Sequence, residues 1–182
     1  VFDSRETPVI VVQRPGHTTA IAATDPAQTD RLLTPFFAKQ GINQLDCQLF
    51  TQNKDKNPEI SPQCADLTWY SQSPPILELN FSQRRWWIVL QIPDRQQPPP
   101  QLPLDQRPDI LLWPGSFFPY AWLEQLRPPQ AIAIAPYGSA KLREKIESFN
   151  GRLWVTGEDG ALQWTPRRGF SAALESLDAD LR

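Results

Sequence analysis

Between Pro8 and Gln13 the chain carries a β-branched apolar run, and a second short apolar run surrounds Ile21 after the turn signal Pro15-Gly16. This pattern predicts a hairpin of two largely buried strands. Thr24-Asp25-Pro26 then supplies a cap and a first-turn proline for a helix reaching Lys39. That helix is expected to break or restart at Thr34-Pro35 and to end at Gly41. Leu45 to Phe50 reads as the next strand, followed by a polar stretch, Thr51 to Gln63, with no periodicity. An active site would sit in that stretch.

Apolar runs at Leu67 to Tyr70, Ile76 to Phe81 and Trp86 to Gln91 are separated by Ser/Pro/Gln clusters, which predicts an antiparallel meander. Gln97 to Pro108 contains five prolines, so it is expected to be an extended connector of polyproline type that divides the chain into two halves. Beyond it strand and helix alternate: Asp109 to Trp113 as strand, Pro119 to Leu126 as helix, Ala131 to Ala135 as strand, Ser139 to Phe149 as helix with Gly151 as its C′ residue. Arg152 to Val155 and Ala161 to Trp164 flank Gly157-Glu158-Asp159-Gly160, a glycine-bracketed segment that predicts a β-hairpin. The last dozen residues are expected to be helical or frayed.

The length of 182 residues fits one ordinary domain, and 40% hydrophobic with 21% charged residues is a globular profile. No apolar run approaches the roughly 20 residues a bilayer crossing needs, and the beginning has no signal-peptide pattern. The absence of methionine and the strand-like start at Val1-Phe2 suggest a piece cut from a longer protein. A net charge of -2 provides no global field for nucleic acid, so any such contact must rest on a local patch.

Catalytic classes narrow mainly by exclusion. The single histidine, His17, falls in a turn and reads as a solvent-exposed turn residue, with no second imidazole to share a metal. Ser/His/Asp or Cys/His chemistry would require His17 as the base. No phosphate loop is present, and Pro114-Gly115-Ser116 lacks the flanks of a P-loop or a nucleophile elbow. Cys47 and Cys64 do not have metal-ligand spacing. A disulfide formed in an oxidising compartment and a pair of buried thiols both remain open. Most of the seven tryptophans read as packing. Trp86 and Trp87, preceded by Arg84 and Arg85, are the best candidates for stacking on a base.

In order and spacing, these segments resemble the metallo-β-lactamase-like domain at the C-terminal end of the ComEC family of DNA-uptake membrane proteins, cyanobacterial members above all. Val1 to Pro8 stands where that family has a strand ending in a DVGQGD-like segment, with Asp3 retained. Ile21-Ala22-Ala23-Thr24-Asp25 stands where the family has LIDTG, so Ala23 replaces the aspartate. Leu45 to Asn57 resembles the strand and loop that carry SHxDxDH. There Gln52 and Asn57 stand for histidines, and Lys54 and Lys56 for aspartates. Trp86 to Ile92 resembles the strand leading into TGD, without the aspartate. Asp109 to Ser116 resembles the strand before PHHGS, with both histidines deleted. Leu126 to Ile134 and Leu153 to Ala161 are similar to the family's closing strand, helix and T-x-x-D-G hairpin.

The resemblance implies an α/β fold, a reduced metallo-β-lactamase-like αββα sandwich of two mixed β-sheets flanked by helices, formed by residues 1–182 as one domain of a larger membrane protein. It also implies that the metal site is gone. A lysine ammonium about 4 Å from a divalent ion is repelled by roughly 8 kcal/mol at an effective dielectric near 20. An aspartate there would be attracted by a similar amount, and that swing rivals the roughly 10 to 16 kcal/mol with which structural zinc is held. Expected are no metal, no cofactor, no catalytic residue and no small-molecule substrate. The expected role is a scaffold or DNA guide in natural transformation, partnered by the channel portion of the same parent chain. The parent would lie in the plasma membrane with this domain soluble on the extracytoplasmic, periplasmic side. Lys54, Lys56, Arg84 and Arg85 are the candidate contacts to a single-stranded DNA backbone. Two rivals stand beside it: a metal-dependent nuclease or other hydrolase built on Asp3, Asp25, Asp55 and Asp94, and a stand-alone protein-interaction module.

Overall fold

The computed structural model describes residues 2–4, 7–14, 17–22, 26–43, 45–50, 60, 64 and 66–172. The first sheet is built from β1 (Phe2–Ser4), β2 (Thr7–Arg14), β3 (His17–Ala22) and β4 (Cys47–Phe50), in that spatial order. β2 and β3 form the expected antiparallel hairpin, in register from Val9↔Ala22 to Arg14↔His17. β3 and β4 run parallel, so the chain between them must cross over, and α1 (Pro26–Gln40) makes that crossing.

α1 does not break at Thr34-Pro35, contrary to the expectation from its proline; it is continuous with Pro35 inside it. Proline removes one amide donor and crowds the carbonyl four residues back. Arg31, Thr34 and Pro35 are all exposed, so the defect falls on the watered side of the helix. The opposite side holds the helix in place, with Leu33 buried and Phe37 half-buried against Val9, Val11 and Ala20 of the sheet. Gly41 ends the helix at φ +65, as its position predicted.

The second sheet has six strands in the order β10-β9-β8-β7-β6-β5. β5 (Leu67–Gln72), β6 (Pro75–Phe81) and β7 (Arg84–Val89) form the antiparallel meander. β7, β8 (Ile110–Pro114), β9 (Gln130–Ile134) and β10 (Arg152–Val155) are mutually parallel. α2 (Tyr120–Leu126) and α3 (Ala140–Glu147) make the crossovers from β8 to β9 and from β9 to β10.

Strand parity sorts the core into two layers. Trp86 and Ile88 of β7, with Ile110 and Leu112 of β8, face Ile10, Ile21 and Leu49 of the first sheet. Trp87, Val89, Leu111 and Trp113 face the other way, onto Trp122, Leu123 and Leu126 of α2 and Leu142 and Ile146 of α3. Strands buried on both faces must be apolar at every position, which is why Ile110 to Trp113 reads Ile-Leu-Leu-Trp. The layers therefore run α1, first sheet, second sheet, then α2 with α3: an α/β protein of two mixed sheets with helices outside.

The proline-rich segment does not divide the chain. It joins β7 to its immediate neighbour β8, so one sheet spans both halves. It is extended as expected, apart from a single 3-10 turn at Leu104–Gln106. It lies along the second sheet's outer side. The Trp122 indole N–H donates to Gln97 O at 3.0 Å, the Gln97 amide donates to Ser73 O at 3.0 Å, and Leu102 packs into the outer core. A proline-rich strap thus takes the place a crossover helix would occupy.

Two expectations near the end of the chain are corrected. The left-handed residue after α3 is Asn150 at φ +61, not Gly151. Gly151 is needed for space instead, because an added Cβ would lie 2.7 Å from Pro128 O and 2.9 Å from Ile146 Cγ2. Gly157 to Gly160 is not a hairpin turn either; residues Thr156–Asp159 form a short helical turn, α4. There the Val155 N–H donates to Asp159 Oδ2 at 2.7 Å and the Gly157 N–H to Ala135 O at 2.8 Å. These bonds turn the chain away from β10. β11 (Leu162–Thr165) pairs with β12 (Gly169–Ala172) in a separate two-stranded sheet. The last residues, 173–182, lie outside the described residues.

Candidate functional site

The parallel strands give the sandwich two unlike ends. At the carboxyl end, Ile10 and Ile21 of the first sheet meet Ile88, Val89, Leu90, Leu112 and Pro114 of the second. The space they enclose is about 10 Å³, no more than a single water needs, and the side chains lining it are all apolar. Among the described residues no group of three or more His, Cys, Asp or Glu gathers anywhere in a metal-holding arrangement.

The described loops around this end are occupied by their own contacts. Gly115, at φ +89, donates its N–H to Ile134 O at 2.7 Å, tying the β8 and β9 loops together. Glu158 accepts from the Gly138 N–H at 2.6 Å and from the Arg143 guanidinium at 2.7 Å. Arg95 lies over the Phe117 ring, 4.9 Å from its centroid. Asp94, one of the four carboxylates of the hydrolase reading, is exposed and accepts from the Gln96 N–H at 3.1 Å, a turn-capping role. Asp3 sits in β1 opposite Pro8. Asp25 and Asp55 lie outside the described residues, as do Ala23, Gln52, Lys54, Lys56 and Asn57.

The histidine is not the free turn residue its sequence context suggested. His17 opens β3 at the amino end, its side chain 31% exposed, with Nδ1 3.8 Å from Asp46 Oδ2. The same carboxylate oxygen accepts from the Thr18 N–H at 2.7 Å. Asp46 thereby bridges the beginnings of two parallel strands, and the imidazole belongs to that bridge.

Cys47 and Cys64 form a disulfide, with a Cα–Cα distance of 5.2 Å. Both residues are buried, so the bond lies inside the core between the sheets and ties the segment after β4 back to its start.

Arg84 and Arg85 lie at the amino end, at the start of a six-residue strand. At about 3.3 Å per residue they sit roughly 17 Å from the end to which β4 leads. Each is engaged: Arg84 donates to Asp109 Oδ1 at 2.9 Å, and Arg85 lies 3.6 Å from Glu78 Oε1 and donates to Asp105 O at 3.2 Å. Trp87 is fully buried, packed at a tilt against Tyr70 with centroids 4.0 Å apart, and its indole N–H donates to Glu78 at 3.1 Å. Trp86 is buried 8% exposed beneath the β11–β12 hairpin, edge-to-face with Trp164 at 5.2 Å and with Phe170 at 5.6 Å. Neither indole is open for a base.

What the sequence reading missed is the hairpin itself. Trp164 and Phe170, directly paired across β11 and β12, are half-buried, and Phe81 meets Trp164 at 5.6 Å. The turn beyond that pair carries exposed Arg167 and Arg168. Exposed Arg152 lies 3.7 Å over the Trp154 ring. The signal was present, since Trp164 is followed closely by Arg167-Arg168 much as Arg84-Arg85 precede Trp86-Trp87.

Another concavity is a shallow groove of about 490 Å³ lined by Glu124, Arg127, Lys145, Ser148, Phe149 and Asn150. Its charges satisfy one another: Lys145 donates to Glu124, and that bond holds the Glu124 carboxyl below the usual carboxylate range.

No protein-family model, curated protein or solved structure matches this chain.

Proposed function

We propose that this chain is a non-catalytic, metal-ligand-depleted domain of metallo-β-lactamase type, serving as a scaffold or DNA guide in a ComEC-type DNA-uptake channel. The observation that carries the non-catalytic half is the place of its one histidine. Metal-dependent hydrolysis in such a sandwich draws on several imidazoles and carboxylates converging on one or two ions. The chain has a single imidazole, and it opens β3 at the amino end, engaged with Asp46. Among the described residues, those that line the cleft at the carboxyl end, where the resemblance puts the ligands, are Ile, Val, Leu and Pro.

The layer order supports the family assignment: two mixed sheets face to face, with α1 on one outer side and α2 and α3 on the other. The buried disulfide agrees with an oxidising, extracytoplasmic setting. No helix among the described residues is long and apolar enough to cross a membrane, so insertion would fall to other parts of the proposed parent.

Two measurements test the reading. Calorimetric titration with zinc and manganese is expected to show no micromolar binding, and incubation of single- and double-stranded DNA with Mg²⁺, Mn²⁺ or Zn²⁺ is expected to leave it intact. Stoichiometric metal uptake accompanied by strand cleavage would establish the hydrolase reading instead.

A further inference from the structure

We infer that the amino end of the sandwich, around the β11–β12 hairpin, is the surface that takes a single nucleic-acid strand. This inference rests on the DNA-guiding reading above and moves the contact from Lys54 and Lys56, which lie outside the described residues, to groups the structure describes.

Three observations converge. First, the arginines concentrate here: Arg84 and Arg85 at the start of β7, Arg107 just before β8, Arg152 at the start of β10, and Arg167 and Arg168 in the hairpin turn. Two of the carboxylates nearby are committed, Asp109 to Arg84 and Glu78 to Arg85, while Asp105 is exposed beside them. Among the described residues no carboxylate pairs with Arg152, Arg167 or Arg168. Arg152, Arg167 and Arg168 are thus exposed cations with no described carboxylate partner, on a chain whose net charge is -2.

Second, the same end presents aromatic rings that are neither buried nor free. Trp164 and Phe170 are half-buried, braced from beneath by Trp86 and Trp154 through contacts of 5.2 to 5.9 Å. A braced ring with an open face is a stacking platform that loses little conformational freedom when a base arrives.

Third, the two kinds of group alternate at short range. Arg152 already rests on one indole, and the Arg167-Arg168 turn directly follows Trp164. Guanidinium forks grip phosphate oxygens while neighbouring rings take the bases. A duplex offers phosphates but no free base faces, so a single strand fits this surface better.

The test uses the full chain and a labelled oligothymidylate, about 20 nucleotides long so that it covers more than one site of ordinary size, followed by fluorescence anisotropy at low salt. Arg167→Glu with Arg168→Glu is expected to weaken binding at least about tenfold and to reduce the slope of log affinity against log salt by about 1.4, two contacts at roughly 0.7 each. Arg152→Ala, a second and milder variant, is expected to weaken it severalfold. Trp164 emission should be quenched on binding, and Arg95→Glu at the carboxyl end should leave affinity unchanged.

Several outcomes overturn the inference. If the hairpin variant binds like wild type while Lys54→Glu with Lys56→Glu abolishes binding, the strand binds at those lysines and only the DNA-guiding reading survives. If a duplex or heparin binds equally well with the same losses, the surface reads charge alone. If wild type binds no oligonucleotide at low salt, both the inference and the DNA-guiding role fall.

Discussion

Trp86 and Trp164 meet edge to face, their ring centroids 5.2 Å apart and their planes at 88°. This contact joins a strand of the main sheet to a hairpin that shares no backbone pairing with it. The β11–β12 pair would be too small to persist alone. It persists because Leu162, Trp164 and Phe170 pack onto the core between the sheets.

Removing Trp164 should therefore unseat the hairpin before it unfolds the domain. Trp164→Ala is expected to cost about 2 to 3 kcal/mol, somewhat under the range for a fully buried tryptophan because the ring is half-buried. Urea unfolding would give the cost, and faster amide exchange confined to 162–172 would show that the hairpin goes first. Uniform loss of protection would count against a separate hairpin.

The Cys47–Cys64 disulfide closes a loop with a sequence separation of 17. Loop-closure entropy gives a stabilisation of about 3 kcal/mol for a ring of that size. Cys47→Ser with Cys64→Ser, or full reduction, should lower the unfolding free energy by that order. Thiol titration of the denatured, unreduced chain should find no free thiol.

Gly157 has no room for a side chain, since a Cβ there would come within 2.1 Å of Pro136 O. The obstacle is backbone, which cannot rotate aside as a side-chain tip can. Gly157→Ala is expected to destabilise by about 3 kcal/mol, the upper part of the overpacking range. Gly41→Ala, where the Cβ meets open space but φ is +65, should cost only about 1 kcal/mol. Equal costs in thermal or urea unfolding would contradict the crowding argument.

Burial raises the Tyr70 phenol above its ordinary pKa of 10.0, and the nearby Glu78 carboxylate adds to the shift. The folded state holds this proton more tightly than the unfolded chain does. That contribution to stability is fully present below about pH 10, the unfolded value, and is lost as pH rises through the folded pKa. The phenolate absorbance that distinguishes wild type from Tyr70→Phe should have its midpoint above 10. A midpoint at or below 10 would mean the ring is more open than its packing on Trp87 indicates.

Much of the architecture was legible along the chain. Period-two and all-apolar runs located β2, β3 and the β5 to β7 meander, and strand alternating with helix located β8 to β10, because burial on one or both faces writes itself directly into the residue pattern. Pro35 misled because a proline's cost depends on which side of the helix meets water. The segment Gly157 to Gly160 misled because glycines mark close approach as well as turns, and here the approach is to Pro136.

The sequence by itself determined the inventory: one imidazole for the whole chain, arginines set beside tryptophans, and two cysteines able to pair. Only the tertiary structure decided which of these groups meet. It joined Cys47 to Cys64, gave His17 to Asp46, committed Arg84 to Asp109, and left Arg167 and Arg168 unopposed among the described residues. The reason is that pairing is a matter of distance in space. Strand order and the direction of each crossover set those distances, and local periodicity carries no record of either.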